Sequence, residues 1–107
     1  TPLSIALDNC EILIQNLLFE NQTPVLVLLT DGGANVDKAG NGGRMQAHLD
    51  ALQSAISIKN LDIKSIFIDT SIVPNEKAVA IATSMGARYC PLPKANSSKI
   101  IEKITTH

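Results

Sequence analysis

Asp31 follows the apolar run Val25-Leu26-Val27-Leu28-Leu29-Thr30 and precedes Gly32 and Gly33. A carboxylate in that place, with glycines after it that let the backbone approach a ligand closely, has the form of a site at a strand's carboxyl end. Thr1, which opens the helix preceding the run, is a second hard oxygen group. A Thr hydroxyl and an Asp carboxylate suit Mg²⁺, which keeps several waters and takes only one or two protein carboxylates. The alternative for Asp31 is a turn or helix-capping role. Asp69-Thr70-Ser71 ends a second apolar run in an equivalent place. It matches the opening of a D-x-S-x-S metal loop, but Val73 stands where the second Ser belongs. Its alternative is a carboxylate that caps the next helix or braces the loop. Arg44 opens a helix after a glycine-rich loop, and its guanidinium fork can clamp a partner's carboxylate. A solvated or locally paired Arg is the other reading. Gly32 and Arg44 are thus the candidate partner contacts.

Other chemistry is absent from the pattern. There is no G-x-x-x-x-G-K-[ST] phosphate loop, the stretch Gly40-Asn41-Gly42-Gly43-Arg44-Met45 fails G-x-G-x-x-G, and no G-x-S-x-G elbow occurs. Nucleophile, base and oxyanion donor are not supplied together. His48 and His107 have no arrangement that makes either catalytic. Cys10 and Cys90 lie far apart with no C-x-x-C, and read as buried reduced thiols. These residues support a binding module.

The elements that must position them follow from periodicity. A helix is expected over 2–19, with Thr1 as N-cap, Pro2 at the first helical position, and Leu3, Leu7, Cys10, Ile14 and Leu17 as its apolar stripe. The run 25–30 is continuously apolar, which implies a strand covered on both faces. A second helix runs from about Arg44 to Lys59, with Met45, Leu49, Leu52 and Ile56 at helical spacing. Ser65 to Ile68 form the second strand. Pro74 and Asn75 open a third helix that closes at Gly86, and Arg88 to Pro91 form a short third strand. Asn96, Ser97 and Ser98 offer caps for a last helix with Ile100, Ile101 and Ile104 facing inward. This order predicts an α/β fold, a Rossmann-like parallel sheet with helices on both faces. The first strand is too apolar for an open edge and calls for a neighbour. The chain therefore reads as the second half of a doubly wound domain.

Composition narrows the partners. The 107 residues carry 9 Lys+Arg and 10 Asp+Glu, a net charge of −1, with 45 % hydrophobic residues. That balance offers no electrostatic case for nucleic acid or a membrane surface. Aromatics at 3 % make base stacking equally unsupported. No apolar run reaches membrane-spanning length and no signal peptide is read, so a cytoplasmic location is expected.

Several ordered blocks resemble a known family. Val25-Leu26-Val27-Leu28-Leu29-Thr30-Asp31-Gly32-Gly33-Ala34-Asn35-Val36 resembles the "LVLLTDGRANV" segment of magnesium chelatase D subunits. Gly42-Gly43-Arg44-Met45-Gln46-Ala47, with Asp50-Ala51-Leu52, is similar to that family's "GGR-x-QA…DA" stretch. Ile68-Asp69-Thr70-Ser71, Met85-Gly86-Ala87-Arg88-Tyr89 and Pro91-Leu92-Pro93 look like its "IDTS … MGARY-x-PLP" tail, and Thr1-Pro2-Leu3 like its "GGTPL" entry. TDG alone is shared by many von Willebrand factor A-type domains; the later blocks make the resemblance more specific.

The resemblance implies a C-terminal von Willebrand A-type, integrin I-like domain, preceded in such subunits by an AAA+ module and an acidic, Pro-rich linker. With the I and H subunits, these proteins insert Mg²⁺ into protoporphyrin IX at the expense of ATP, on the way to chlorophyll. The A-type domain carries a metal-ion-dependent adhesion site in which D-x-S-x-S, a Thr and an Asp hold a cation that a partner's acidic side chain completes. By position, Thr1 is that Thr and Asp31 that Asp. Gly33 stands where the family has Arg, and the D-x-S-x-S strand has no counterpart here. In a sheet of order 3-2-1-4-5-6, residues 1–107 correspond to the 4-5-6 half. The expectation is a non-catalytic interaction module with weak or no Mg²⁺ binding of its own. Its expected partners are the I and H subunits and, for the isolated chain, a second copy. The alternative is an A-type domain of another AAA+-linked chelatase, such as a cobalt chelatase.

Overall fold

A computed structural model describes residues 2–33, 43–73 and 76–92. Helices and strands alternate as α1 (Leu3–Phe19), β1 (Val25–Thr30), α2 (Arg44–Lys59), β2 (Lys64–Asp69), α3 (Glu76–Met85) and β3 (Arg88–Pro91). The expected elements therefore form, with small shifts of boundary. Helix α1 begins one residue later than its sequence signals place it. Pro2 takes the capping position and supplies no side-chain cap. Thr1, residues 74–75, most of the glycine-rich loop and the last expected helix lie outside the described residues. Among the described residues, no helix is long and apolar enough to cross a membrane.

Left-handed residues terminate the helices. Gly86 has φ +68, and the amides of Gly86 and Ala87 donate back to the carbonyls of Thr83 and Ala82 at 3.0 and 2.9 Å, closing α3 as its sequence predicts. Asn21, at φ 61, does the same after α1, where the amides of Asn21 and Gln22 reach Leu18 and Leu17. Asparagine tolerates this region better than most side chains.

The three strands are parallel in the order β1-β2-β3. Register fixes the faces: Leu28 lies opposite Phe67, and Phe67 opposite Tyr89. That face meets the helices in one core built on Leu7, Ile14, Ala47, Ala51, Ala55, Ile58, Phe67 and the inner side of α3. The Phe67 and Tyr89 rings stack there at 6.2 Å between centroids. On the opposite face Ile66, Ile68 and Cys90 make a second buried cluster. Cys10 is half-buried against the main core, and both cysteines are free thiols.

Two expectations about coverage change. The strand buried on both sides is β2, whose last five residues are all buried, and not β1. Within the described sheet β1 has one strand neighbour, and Val25, Val27 and Leu29 are exposed on one face while Leu26 and Leu28 pack on the other. Its continuous apolarity thus records an edge and a face that the described elements leave uncovered. The second change concerns α2. The expected stripe of Met45, Leu49, Leu52 and Ile56 is not its core face. Ala47, Ala51, Ser54, Ala55 and Ile58 are buried, and Met45 is 80 % exposed. Helix α2 packs between α1 and α3, and small side chains on its buried face permit that approach. The larger residues are displaced outward.

Substitution tests this assignment. Ala51→Leu should lower stability by about 1–3 kcal/mol through overpacking, whereas Leu49→Gln should change it by less than about 0.5 kcal/mol. Urea denaturation followed by circular dichroism distinguishes this from the reverse ranking, which the sequence stripe would require.

Candidate functional site

The carboxyl ends of β1 and β2 lie side by side, with Thr30 opposite Asp69 and the Thr70 amide donating to the Thr30 carbonyl at 3.1 Å. Beyond β1 the chain turns sharply. The Gly33 amide donates to Asp31 Oδ1 at 2.7 Å and the Gly32 amide to Thr30 Oγ1 at 3.1 Å. Gly32 has φ +73, and a Cβ there would sit 2.8 Å from Ala78 Cα. Glycine is required at 32 for two reasons, backbone conformation and the close approach of α3. Asp31 is exposed at the mouth of this turn.

Asp69 has the opposite environment. It is fully buried, and its carboxylate accepts three hydrogen bonds. Ser71 supplies two of them to Oδ1, from its amide at 2.9 Å and its hydroxyl at 2.5 Å, and the Tyr89 hydroxyl donates to Oδ2 at 2.5 Å. Both oxygens are taken by protein donors, so Asp69 braces the loop after β2. Of the two roles read from its sequence context, this is the structural one. The brace sets Ser71 Oγ 3.4 Å from the Asp31 carbonyl. Burial pushes the Tyr89 hydroxyl up to about 12, and its hydrogen bond to Asp69 and that residue's negative charge add to the effect.

Asp31, Gly32, Gly33, Ser71, Glu76 and Lys77 line an open cleft of about 480 Å³ at these strand ends. Its oxygen donors have the hardness Mg²⁺ prefers. Their number is small, however: no group of three His, Cys, Asp or Glu side chains converges among the described residues. The Lys77 ammonium on the same wall also opposes a bare dication. The donor set fits a largely hydrated Mg²⁺ held by Asp31, with Thr1 outside the described residues. Arg44 lines a different cleft, of about 390 Å³, with Met45, His48, Leu49 and Lys77. Burial lowers the pKa of His48, and the nearby Lys77 lowers it further. The structure thus brings Asp31 and Gly32 together, places Arg44 apart, and puts Lys77 in both linings. Lys77 and Glu76 carry no motif that marks them in the sequence, and Tyr89, though part of the Met85–Tyr89 block, carries no signal that it reaches Asp69; only the fold brings them to these sites.

A three-stranded parallel sheet with helices packed on it, and a cleft beyond the carboxyl ends of neighbouring strands, defines a partial Rossmann-like unit. Among proteins of known role, the chain is similar to the magnesium-chelatase 60 kDa subunit of Cereibacter sphaeroides, 37 % identical over 78 residues, which are 73 % of this chain and 14 % of that protein. It is 30 % identical to the magnesium-chelatase 60 kDa subunit of Rhodobacter capsulatus over 102 residues, 95 % of this chain and 18 % of that protein. The chain therefore spans less than a fifth of the length of either relative. No family model and no solved structure matches it.

The brace has a measurable signature. Tyr89 is the one tyrosine of the chain, so an ultraviolet titration reads it alone. Its midpoint should fall near 12 in the folded chain and near 10 in urea. Because the folded pKa is raised, the contribution to stability is complete below pH 10 and is lost between pH 10 and about 12. Tyr89→Phe should remove that alkaline step; an unchanged pH profile would show that Tyr89 is not the group responsible.

Proposed function

We propose that this chain is the C-terminal half of the von Willebrand A-type domain of a magnesium chelatase D subunit, serving as a docking module in an ATP-dependent metal-insertion complex. The observation that carries this reading is similarity to magnesium-chelatase 60 kDa subunits across 73–95 % of the chain. The uncovered edge of β1 and the exposed side chains of Val25, Val27 and Leu29 fit a sheet that continues with further strands.

The cleft at the strand ends is the docking site in this reading. Asp31, together with Thr1, would hold Mg²⁺, which when bound offers an open coordination position to a carboxylate of the I or H subunit. Gly32 lets α3 approach and keeps the Asp31 turn in place. Glu76 and Lys77 set the charge around the docked group, and Asp69 positions the loop without touching the ion. The Mg²⁺ inserted into protoporphyrin is substrate of the whole complex and is distinct from this ion. The chain itself supplies contacts, orientation and charge; ATP and porphyrin chemistry belong to the rest of the assembly.

The test uses the full-length subunit in a chelatase assay reconstituted from all three components. Asp31→Ala should abolish or sharply reduce activity and complex formation while the unfolding midpoint stays within the range of a surface change. Asp69→Asn should instead lower the midpoint, because it disturbs a buried, hydrogen-bonded carboxylate. Full activity and assembly of the Asp31 variant would remove the docking role. For the 107-residue chain, calorimetric titration should show Mg²⁺ binding weaker than micromolar; tighter binding would mean that other residues form the site.

A further inference from the structure

Two apolar stripes face outward from the helices, and the charges beside them have opposite sign. On α2, Met45, Leu49 and Ile56 are 80, 52 and 49 % exposed, and half-buried Leu52 completes the row. The cleft at its N-terminal end is lined by two cations, Arg44 and Lys77, with no carboxylate among the described lining residues. The partial positive charge of the α2 N-terminus adds to this field. On α1, Ile12, Leu13 and Phe19 are 57, 61 and 89 % exposed. Ile5, Ile12 and Phe19 recur every seven residues, one side of a helix. Asp8 and Glu11 lie on α1 and Glu20 caps its end, while α1 contains no Lys or Arg. At 1.5 Å per residue the α1 row is about 21 Å long and the α2 row about 17 Å. Single exposed apolar residues are ordinary, but contiguous rows on neighbouring helices mark a contact surface.

We propose that the occupant of the α2 stripe is α1 of a second copy of this chain, in a two-fold dimer where each α1 lies on the partner's α2. Helices α1 and α2 pack on each other within the chain, so one two-fold axis satisfies both contacts at once. Phe19 and Ile12 fill the surface offered by Met45 and Leu49, where methionine adapts its shape to the incoming ring. Arg44 and Lys77 face the acidic side of α1, which sets the direction of pairing and favours this partner over a basic helix. The surface shares Lys77 with the Asp31 cleft but none of its other residues, and the inference does not rest on the metal-docking reading. It also differs from pairing through the β1 edge.

Sedimentation velocity of the 107-residue chain over a micromolar to submillimolar range should show a reversible monomer–dimer equilibrium. Arg44→Glu with Lys77→Glu, and separately Asp8→Lys with Glu20→Lys, should each give monomers with unchanged circular dichroism. Mixing these two double variants should restore the dimer, because the reversed positions in the mixed pair again face opposite charges. If either charge variant loses its fold, Met45→Gln with Leu49→Gln reads the same surface without charge reversal and should weaken association at least tenfold. Val27→Lys, on the strand edge, should leave the dimer intact. A monomer at all concentrations overturns the proposal. So does a dimer that survives the α2 variants, or one that only Val27→Lys abolishes.

Discussion

The carboxylate of Asp69, buried at the end of the inner strand β2, holds three parts of the structure together. Tyr89 reaches it from β3, and Ser71 reaches it twice from the loop that follows. A carboxylate removed from water is costly unless donors of this kind replace its hydration. Once satisfied, it fastens β3 and the loop to the middle of the sheet. The loop then lies against the backbone of Asp31, and the cleft at the strand ends takes its shape from that contact. The two strand-end aspartates consequently divide the work. Asp69 is held inside and organises; Asp31 stays outside, where it can meet a ligand.

Close packing imposes a second constraint. The small side chains on the inner face of α2 allow α1 and α3 to pack against it, and the glycine at 32 allows α3 to approach the end of β1. Filling the interior with small residues pushes the larger ones outward, so α2 presents Met45, Leu49 and Ile56 to its surroundings. Together with the exposed face of β1, these rows leave the described unit with several apolar surfaces open.

The functional reading joins two independent lines. Similarity to magnesium-chelatase 60 kDa subunits extends over 73–95 % of the chain but under a fifth of those proteins. The geometry contributes a strand-end cleft with two exposed carboxylates, Asp31 and Glu76, and a second cleft with a basic rim, and Lys77 lines both.

Much of the architecture was legible in the residues themselves, because it depends on local signals. The helical period of 3.6, short continuous apolar runs, the breaks at proline and glycine, and the left-handed residue closing α3 placed all six described elements within a residue or two. The alternation of helix and strand dictated a parallel sheet. Asp31 was also legible, as a carboxylate ending a strand before two glycines. Long-range packing decided the rest. Helical spacing marks Met45 and Leu49 as an apolar face, but only the presence of α1 and α3 on either side of α2 selects the alanine face for burial. A run of apolar residues identifies β1 as a strand, but strand order decides that β2 is the inner one. The contrast between Asp31 and Asp69 likewise depends on Tyr89, a residue twenty positions away whose hydroxyl reaches Asp69 only when β3 lies beside β2.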